Sequence, residues 1–246
     1  MKKVLLFATC LAFICSCSEN GDSEPEKSIT VESSEMTVRV GDSRQVDVNV
    51  VGFNQEDVEW RTSDDFVVDV DSRGEIEAKH VGYASVYASI DNLADSCLVT
   101  VEGNYNTFVE PYVLLGATKE EIKSKEKRKL KKEDDESLVY EDSNSIVEMI
   151  MYSFESGRLT GAGAILDLYE TDATELGKFF NERYDYIGES DGIMLLTNGK
   201  VAVGIKVESY GISIVYIEDT VTKSSSYDYY IAVYKEISSK MYQLKK

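Results

Sequence analysis

The sequence predicts two folded blocks of different class: an all-β two-sheet sandwich over residues 28–102, followed by an α+β domain over residues 103–246. Three observations predict it. Apolar side chains recur at every second position through the first block, with turn residues about every ten positions. In the second block the period-two runs alternate with stretches of helical spacing that open on capping residues. At 246 residues and 43% hydrophobic composition, the chain has room for two modest domains and enough apolar volume to fill both cores.

Met1-Lys2-Lys3 is a basic start, and Val4 to Ile14 is an apolar run broken by Thr9 and Cys10. That is the length of a signal-peptide core and too short for a transmembrane helix. The segment 1–17 ends on Ile14-Cys15-Ser16-Cys17, which resembles a lipobox. The resemblance implies acylation of Cys17 and attachment to a membrane through lipid alone, since two or three buried chains anchor stably. Plain secretory cleavage nearby is the alternative. Residues 18–27 hold little to bury and read as a flexible acidic tether. The stretch also resembles the acidic signal that sends lipoproteins to the outer face of the outer membrane in one gram-negative phylum; a featureless spacer is the other reading.

In residues 28–102 the alternating runs are Met36-Val38-Val40, Val46-Val48-Val50, Val58-Trp60, Val68-Val70, Ile76-Ala78, Ala84 to Ile90, and Cys97-Val99-Val101. Seven short strands, each with one apolar face, predict two packed sheets. Trp60-Arg61-Thr62-Ser63-Asp64, Val67 to Gly74, Gly82-Tyr83-Ala84-Ser85-Val86 and Cys97 to Val101 then resemble, in order, the motifs of bacterial immunoglobulin-like group 2 domains. The resemblance implies an Ig-like sandwich serving as a rigid extracellular spacer or adhesion module, not an enzyme. Asp64, Asp65, Asp69 and Asp71 suggest a calcium cluster, but Asp favours turns on its own account and the spacing fits no EF-hand loop. Cys97 alternates inward and reads as a buried thiol, and Trp60 as core.

After Gly103-Asn104 the pattern changes. Thr118 to Glu121 and Asp172 to Glu175 each read as a capping box. The first opens a charged helix over 119–131, with Ile122 and Leu130 on its apolar face; the second opens an amphipathic helix through Leu176, Phe179, Phe180 and Tyr184. Glu155 to Arg158 and Thr197-Asn198-Gly199-Lys200 mark hairpin turns. An offset of about 54 residues superimposes Glu121 on Glu175, Asn144 on Asn198 and Gly157 on Gly211. It predicts a duplicated unit, helix plus antiparallel strands, forming one sheet with both helices on one face; chance agreement is the alternative. Gly116 to Ile122 and Phe154 to Leu159 weakly resemble the helix-opening and hairpin motifs of small outer-membrane assembly lipoproteins, whose fold is shared by β-lactamase inhibitory proteins. The resemblance implies a domain that binds proteins and does not catalyse.

The remaining features are read blandly. Lys123 to Lys132 followed by Glu133 to Glu136 is a solvated helix with adjacent opposite charge rather than a nucleic-acid patch. Gly161-Ala162-Gly163-Ala164 lies in a strand, where its glycines let a helix pack close. Tyr227, Tyr229, Tyr230 and Tyr234 read as a half-buried last strand, with an exposed aromatic strip at a protein or sugar interface as the alternative.

Charge and chemistry narrow the function. With 26 Lys+Arg against 45 Asp+Glu, a net of −19, the chain repels nucleic acid. The only histidine is His80, in a sandwich turn, and no zinc spacing, P-loop or G-x-S-x-G occurs. No catalytic, cofactor or metal residue is expected, and Cys17 is the one predicted site, for lipidation. The expected partner is an unknown protein or glycan, bound by a lipoprotein held to the outer membrane, with the cell surface favoured over the periplasmic face. A structural assembly lipoprotein and a carboxylate-based hydrolase are the alternatives.

Overall fold

A computed structural model describes residues 26–219 and 227–245; Cys17 and the signal and lipobox readings lie outside them. The first block contains nine strands: β1 Ser28–Val31, β2 Glu35–Arg39, β3 Ser43–Gln45, β4 Val48–Val51, β5 Glu59–Thr62, β6 Val68–Val70, β7 Glu75–Ala78, β8 Gly82–Ile90 and β9 Leu93–Glu102. Two of these, β1 and β3, lie outside the seven alternating runs: β3 is Ser-Arg-Gln with no apolar residue, whereas β1 does alternate, burying Ile29 and Val31. They pair as β2-β9-β8-β5, β3-β7-β6 and β1-β4, with β2 parallel to β9. The inward positions, among them Val38, Val46, Val68, Ile76, Val86, Cys97 and Val99, form one dry core. Trp60 is only partly buried and packs against that core from its edge, beside Gly74.

The second block is one eight-stranded antiparallel sheet with three helices. Its elements are α1 Lys119–Lys125, β10 Lys129–Glu133, β11 Ser137–Glu141, β12 Val147–Glu155, β13 Arg158–Leu166, α2 Ala173–Asn181, β14 Asp185–Ser190, β15 Ile193–Thr197, β16 Val201–Glu208, β17 Gly211–Glu218 and α3 Tyr227–Lys245. The strand order is β10-β11-β12-β13-β17-β16-β15-β14. Ile122 of α1 and Leu176, Phe179 and Phe180 of α2 share a cluster with Leu138, Tyr140, Ile150, Tyr152 and Tyr216 on one sheet face. Tyr230, Tyr234, Ile237 and Met241 of α3 share another with Met149, Met151, Ile165, Leu195 and Val215 on the opposite face.

Three expectations are corrected. The charged helix stops at Lys125, and 129–133 is an edge strand with Leu130 exposed. Glu126 takes an extended conformation, and its side chain turns inward to meet Arg128. The C-terminal tyrosines lie on a 19-residue helix, not a strand. Tyr230, Tyr234, Ile237 and Met241 recur at the helical period, which the abundance of aromatic residues disguised. The two helices expected, α1 and α2, do share one face, but α3 covers the other, so the helices of the domain are not confined to one face.

The capping chemistry also divides. Thr118 and Glu121 form a complete reciprocal box, whereas Asp172 accepts from Thr174 and Glu175 amides without the return bond. The Asn198-Gly199 turn is closed as the sequence predicts, Val201 N donating to Asn198 Oδ1 at 2.8 Å.

Candidate functional site

The segment 103–118 joins the two blocks and takes part in two buried polar networks. At its start it is clasped by Glu182, the residue that ends α2 and is 7% exposed. Glu182 Oε1 accepts from Asn104 N at 3.0 Å and Asn104 Nδ2 at 2.8 Å, and Oε2 accepts from Tyr105 N at 3.1 Å. Its own carbonyl accepts from Val81 N of the sandwich at 2.8 Å. Arg183 donates to the carbonyls of Phe179 and Tyr105 and lies 3.7 Å over the Phe179 ring. Two further contacts cross between the blocks: Lys200 Nζ to Asp64 Oδ2 at 2.7 Å, and His80 Nε2 to Asp185 Oδ1 at 3.4 Å. Charge-assisted bonds to backbone amides are among the stronger ones, so the junction has little slack.

Further along, Val109 to Tyr112 forms one wall of a cleft of 740 Å³; residues 125–129 and 141–143 form the others. Its floor is a buried ion network. Arg128 Nη1 donates to Glu126 Oε2 at 2.8 Å, Nε to Asp142, and Nη2 to the Val109 carbonyl. Tyr152 donates its hydroxyl to Glu126 Oε2 at 2.5 Å and accepts from Tyr112 N at 2.9 Å. The three charged side chains are 4–10% exposed. Burial opposes charge on Arg128, but its bonds to Asp142 and the nearby Glu126 outweigh that and hold the guanidinium charged. Burial likewise pushes the Asp142 carboxyl up, yet Arg128 and the Asn144 and Ser143 amides bring it below the usual range. Tyr152 is pushed well above the ordinary phenol value, first by burial and then by Glu126.

Behind the cleft, Glu110 accepts from Tyr184 OH at 2.9 Å and sits 3.4 Å from Arg183 Nε. Burial raises its carboxyl above the ordinary value despite these partners. Such networks fix a surface: each charge is satisfied only while all the segments stay in place, and removing one partner of a buried pair costs about 3–5 kcal/mol.

The residues singled out from sequence lie elsewhere. Asp64 and Asp71 hold turns, accepting from the amides of Phe66, Arg73 and Glu75, and Asp64 also takes Lys200. Among the described residues no group of three His, Cys, Asp or Glu is arranged to hold a metal. Cys97 is free and fully buried, and burial raises its thiol pKa. His80 stacks on Phe66 with ring centroids 3.9 Å apart, its Nδ1 2.8 Å from the Phe66 carbonyl. Sequence reasoning passed over Glu110, Glu126, Arg128, Asp142 and Glu182, because charged residues among other charges carry no mark of burial.

Residues 26–101 match the family described as bacterial Ig-like domain (group 2). No curated protein matches the chain closely enough to count as a relative. Two solved structures of surface layer protein SbsC are similar at 10% identity. Domains 4–9 match over 80% of this chain and 28% of that one at a TM-score of 0.28. Domains 5–6 match over 80% and 86% at 0.27. The chain thus spans under a third of the first of these, and at such TM-scores the likeness carries no argument.

Proposed function

We propose, from a chain whose residues 26–101 match a bacterial Ig-like group 2 domain, that this is an exported recognition lipoprotein without catalytic activity: an acyl anchor on Cys17, an acidic tether, the Ig-like sandwich as stem, and the sheet domain as a head that binds a protein or glycan. The observation that carries the reading is the junction at Glu182. A buried carboxylate that ties two linker amides, while its backbone takes an amide of the stem, holds the head in one orientation, as a stem that presents a binding surface requires. The cleft beside the same linker, walled by Val109 and Tyr112, gives that head a concave surface on which to bind.

The duplicated α+β architecture of the head belongs to the same proposal. In its support, α1 and α2 begin at 119 and 173, and β12 and β16 at 147 and 201, both at an offset of 54. The strand order also reads as two four-stranded meanders meeting at β13 and β17.

Anchoring and exposure are tested together on intact cells. Membrane fractions are expected to hold the wild-type chain, with an acylated Cys17 by mass spectrometry, and Cys17→Ser is expected to shift it to the soluble fraction. Added protease is expected to shave the head from unbroken cells. Protection until the outer membrane is opened would place the head in the periplasm and favour the assembly-lipoprotein reading; an unacylated start would overturn the anchor.

A further inference from the structure

We propose that the free edge of β10, together with the adjoining cleft, docks an acidic, extended polypeptide segment as a ninth strand of the head sheet. The inference rests on the recognition reading above and names the partner chemistry for that same surface. Among the described residues β10 is hydrogen-bonded only to β11, and all five of its residues are exposed, so within these residues its outer backbone N–H and C=O groups face solvent unpaired. Adding a strand satisfies them, and backbone bonds supply affinity whatever the side chains are.

Charge chooses the kind of strand. The ten residues Lys123 to Lys132 carry seven of the 26 Lys and Arg in a chain of net charge −19, against Glu126 as their one acid. Lys123, Lys129, Lys131 and Lys132 have carboxylates of Glu133, Glu141 and Asp134 at 3.0 to 3.9 Å, pairs that are exposed and weak. Lys125 and Lys127, on the cleft wall, pair with none among the described residues. Lys125 and Lys127 therefore leave uncompensated positive charge beside the edge, and the weakly paired lysines of β10 can exchange their partners for an incoming acid, although the molecule as a whole is acidic.

The cleft adds apolar seats at the end of the same edge. Val109 is 72% exposed and Tyr112 42%, and Leu130 on β10 itself is 39% exposed. Beneath them the Arg128 network holds the wall rigid, so little ordering cost falls on binding. Lysines on an edge strand also ward off unwanted pairing. A merely guarded edge refuses every strand, whereas a docking edge accepts an acidic one.

The test is fluorescence anisotropy of a labelled alternating Glu-Val peptide of about ten residues, long enough to overlap β10, titrated with the full chain. Saturable binding that weakens as salt rises is expected, with the Lys-Val counterpart silent. Lys129→Glu/Lys131→Glu/Lys132→Glu should weaken it by about tenfold or more while circular dichroism stays unchanged. A peptide of the same sequence, N-methylated at every amide so that neither edge can donate, leaves the protein intact and should lose binding, because it cannot complete the ladder. Equal binding of the methylated peptide would reduce the effect to charge alone and overturn strand addition. Failure of the Glu-Val peptide to bind, or tighter binding of an acidic oligosaccharide, would overturn the proposal too. None of these outcomes bears on cell-surface exposure, which the protease experiment decides separately.

Discussion

The two faces of the head sheet are covered in opposite ways. Toward α1 and α2 the sheet sends out large side chains, Tyr140, Tyr152, Phe154 and Tyr216, which reach the short helices. Toward α3 it recedes. A Cβ placed on Gly161 would lie 2.5 Å from Ile237 Cδ1, and one on Gly204 2.6 Å from Tyr234 Cδ2; one on Gly163 would run into the sulfur of Met241. The sequence Gly161-Ala162-Gly163-Ala164 divides between the faces, its alanines lying in the α1–α2 cluster and its glycines beneath α3. Polar groups divide as well. The α1–α2 side holds the Glu110–Tyr184 pair with Arg183 and the Arg128 network, while the α3 side buries the hydroxyls of Ser213, Ser238 and Tyr234. A long helix can lie flat in a glycine-lined trough, and dispersion then favours close contact over bulk. Short helices leave gaps at their ends, and those gaps are where the charged networks and the cleft sit.

The comparison breaks hardest if the aromatic side proves replaceable. Phe179→Ala is expected to cost about 3–5 kcal/mol in denaturant unfolding, since Phe179 is 1% exposed and touches both Phe108 and Phe180. A loss under about 1 kcal/mol would mean that this face collapses around the gap.

Overpacking tests the other side. Gly161→Val should cost about 1–3 kcal/mol by pushing Ile237 outward and crowding the Tyr216 carbonyl, 2.9 Å from the added carbon. The measurement is again the unfolding midpoint, with α3 amide exchange as the local readout. Unchanged protection of α3 would show that the trough has room to spare.

The smallest expected effect is the pH dependence that separates the faces. Burial raises the Glu110 carboxyl in the folded state. The folded protein therefore holds that proton more tightly than the unfolded chain does. The resulting stability is fully present below the unfolded value and is lost as pH rises through the folded one. Denaturation of wild type and Glu110→Gln from weakly acidic to neutral pH should show the difference between them narrowing toward acid. On the α3 side Tyr234 is pushed up to about 12, so it contributes no slope in that window. A difference that is flat with pH would remove Glu110 as the sensitive group.

Much of the fold was legible because it is local. Each sandwich strand states its inward face by alternation, and Val86, Cys97 and Val99 are buried where that alternation puts them. Thr118 and Asp172 cap helices because a side-chain oxygen two or three residues from orphan amides acts before any packing does. The candidate site was not legible. Arg128 sits in a run of lysines and looks like any of them. What distinguishes it is burial against Val109, Glu126 and Asp142, which three separate segments bring together.

By itself, then, the sequence determined the period-two sandwich, the caps and hairpins and the acidic balance. Tertiary structure alone decided where the helix 227–245 lies, since the helical spacing of Tyr230, Tyr234, Ile237 and Met241 marks an apolar face but not the glycine-lined sheet that it covers. It also decided which carboxylates matter. Glu182 meets its amide partners from 77 and 78 residues away, and no local spacing encodes the loss of water that turns an ordinary surface charge into a clasp.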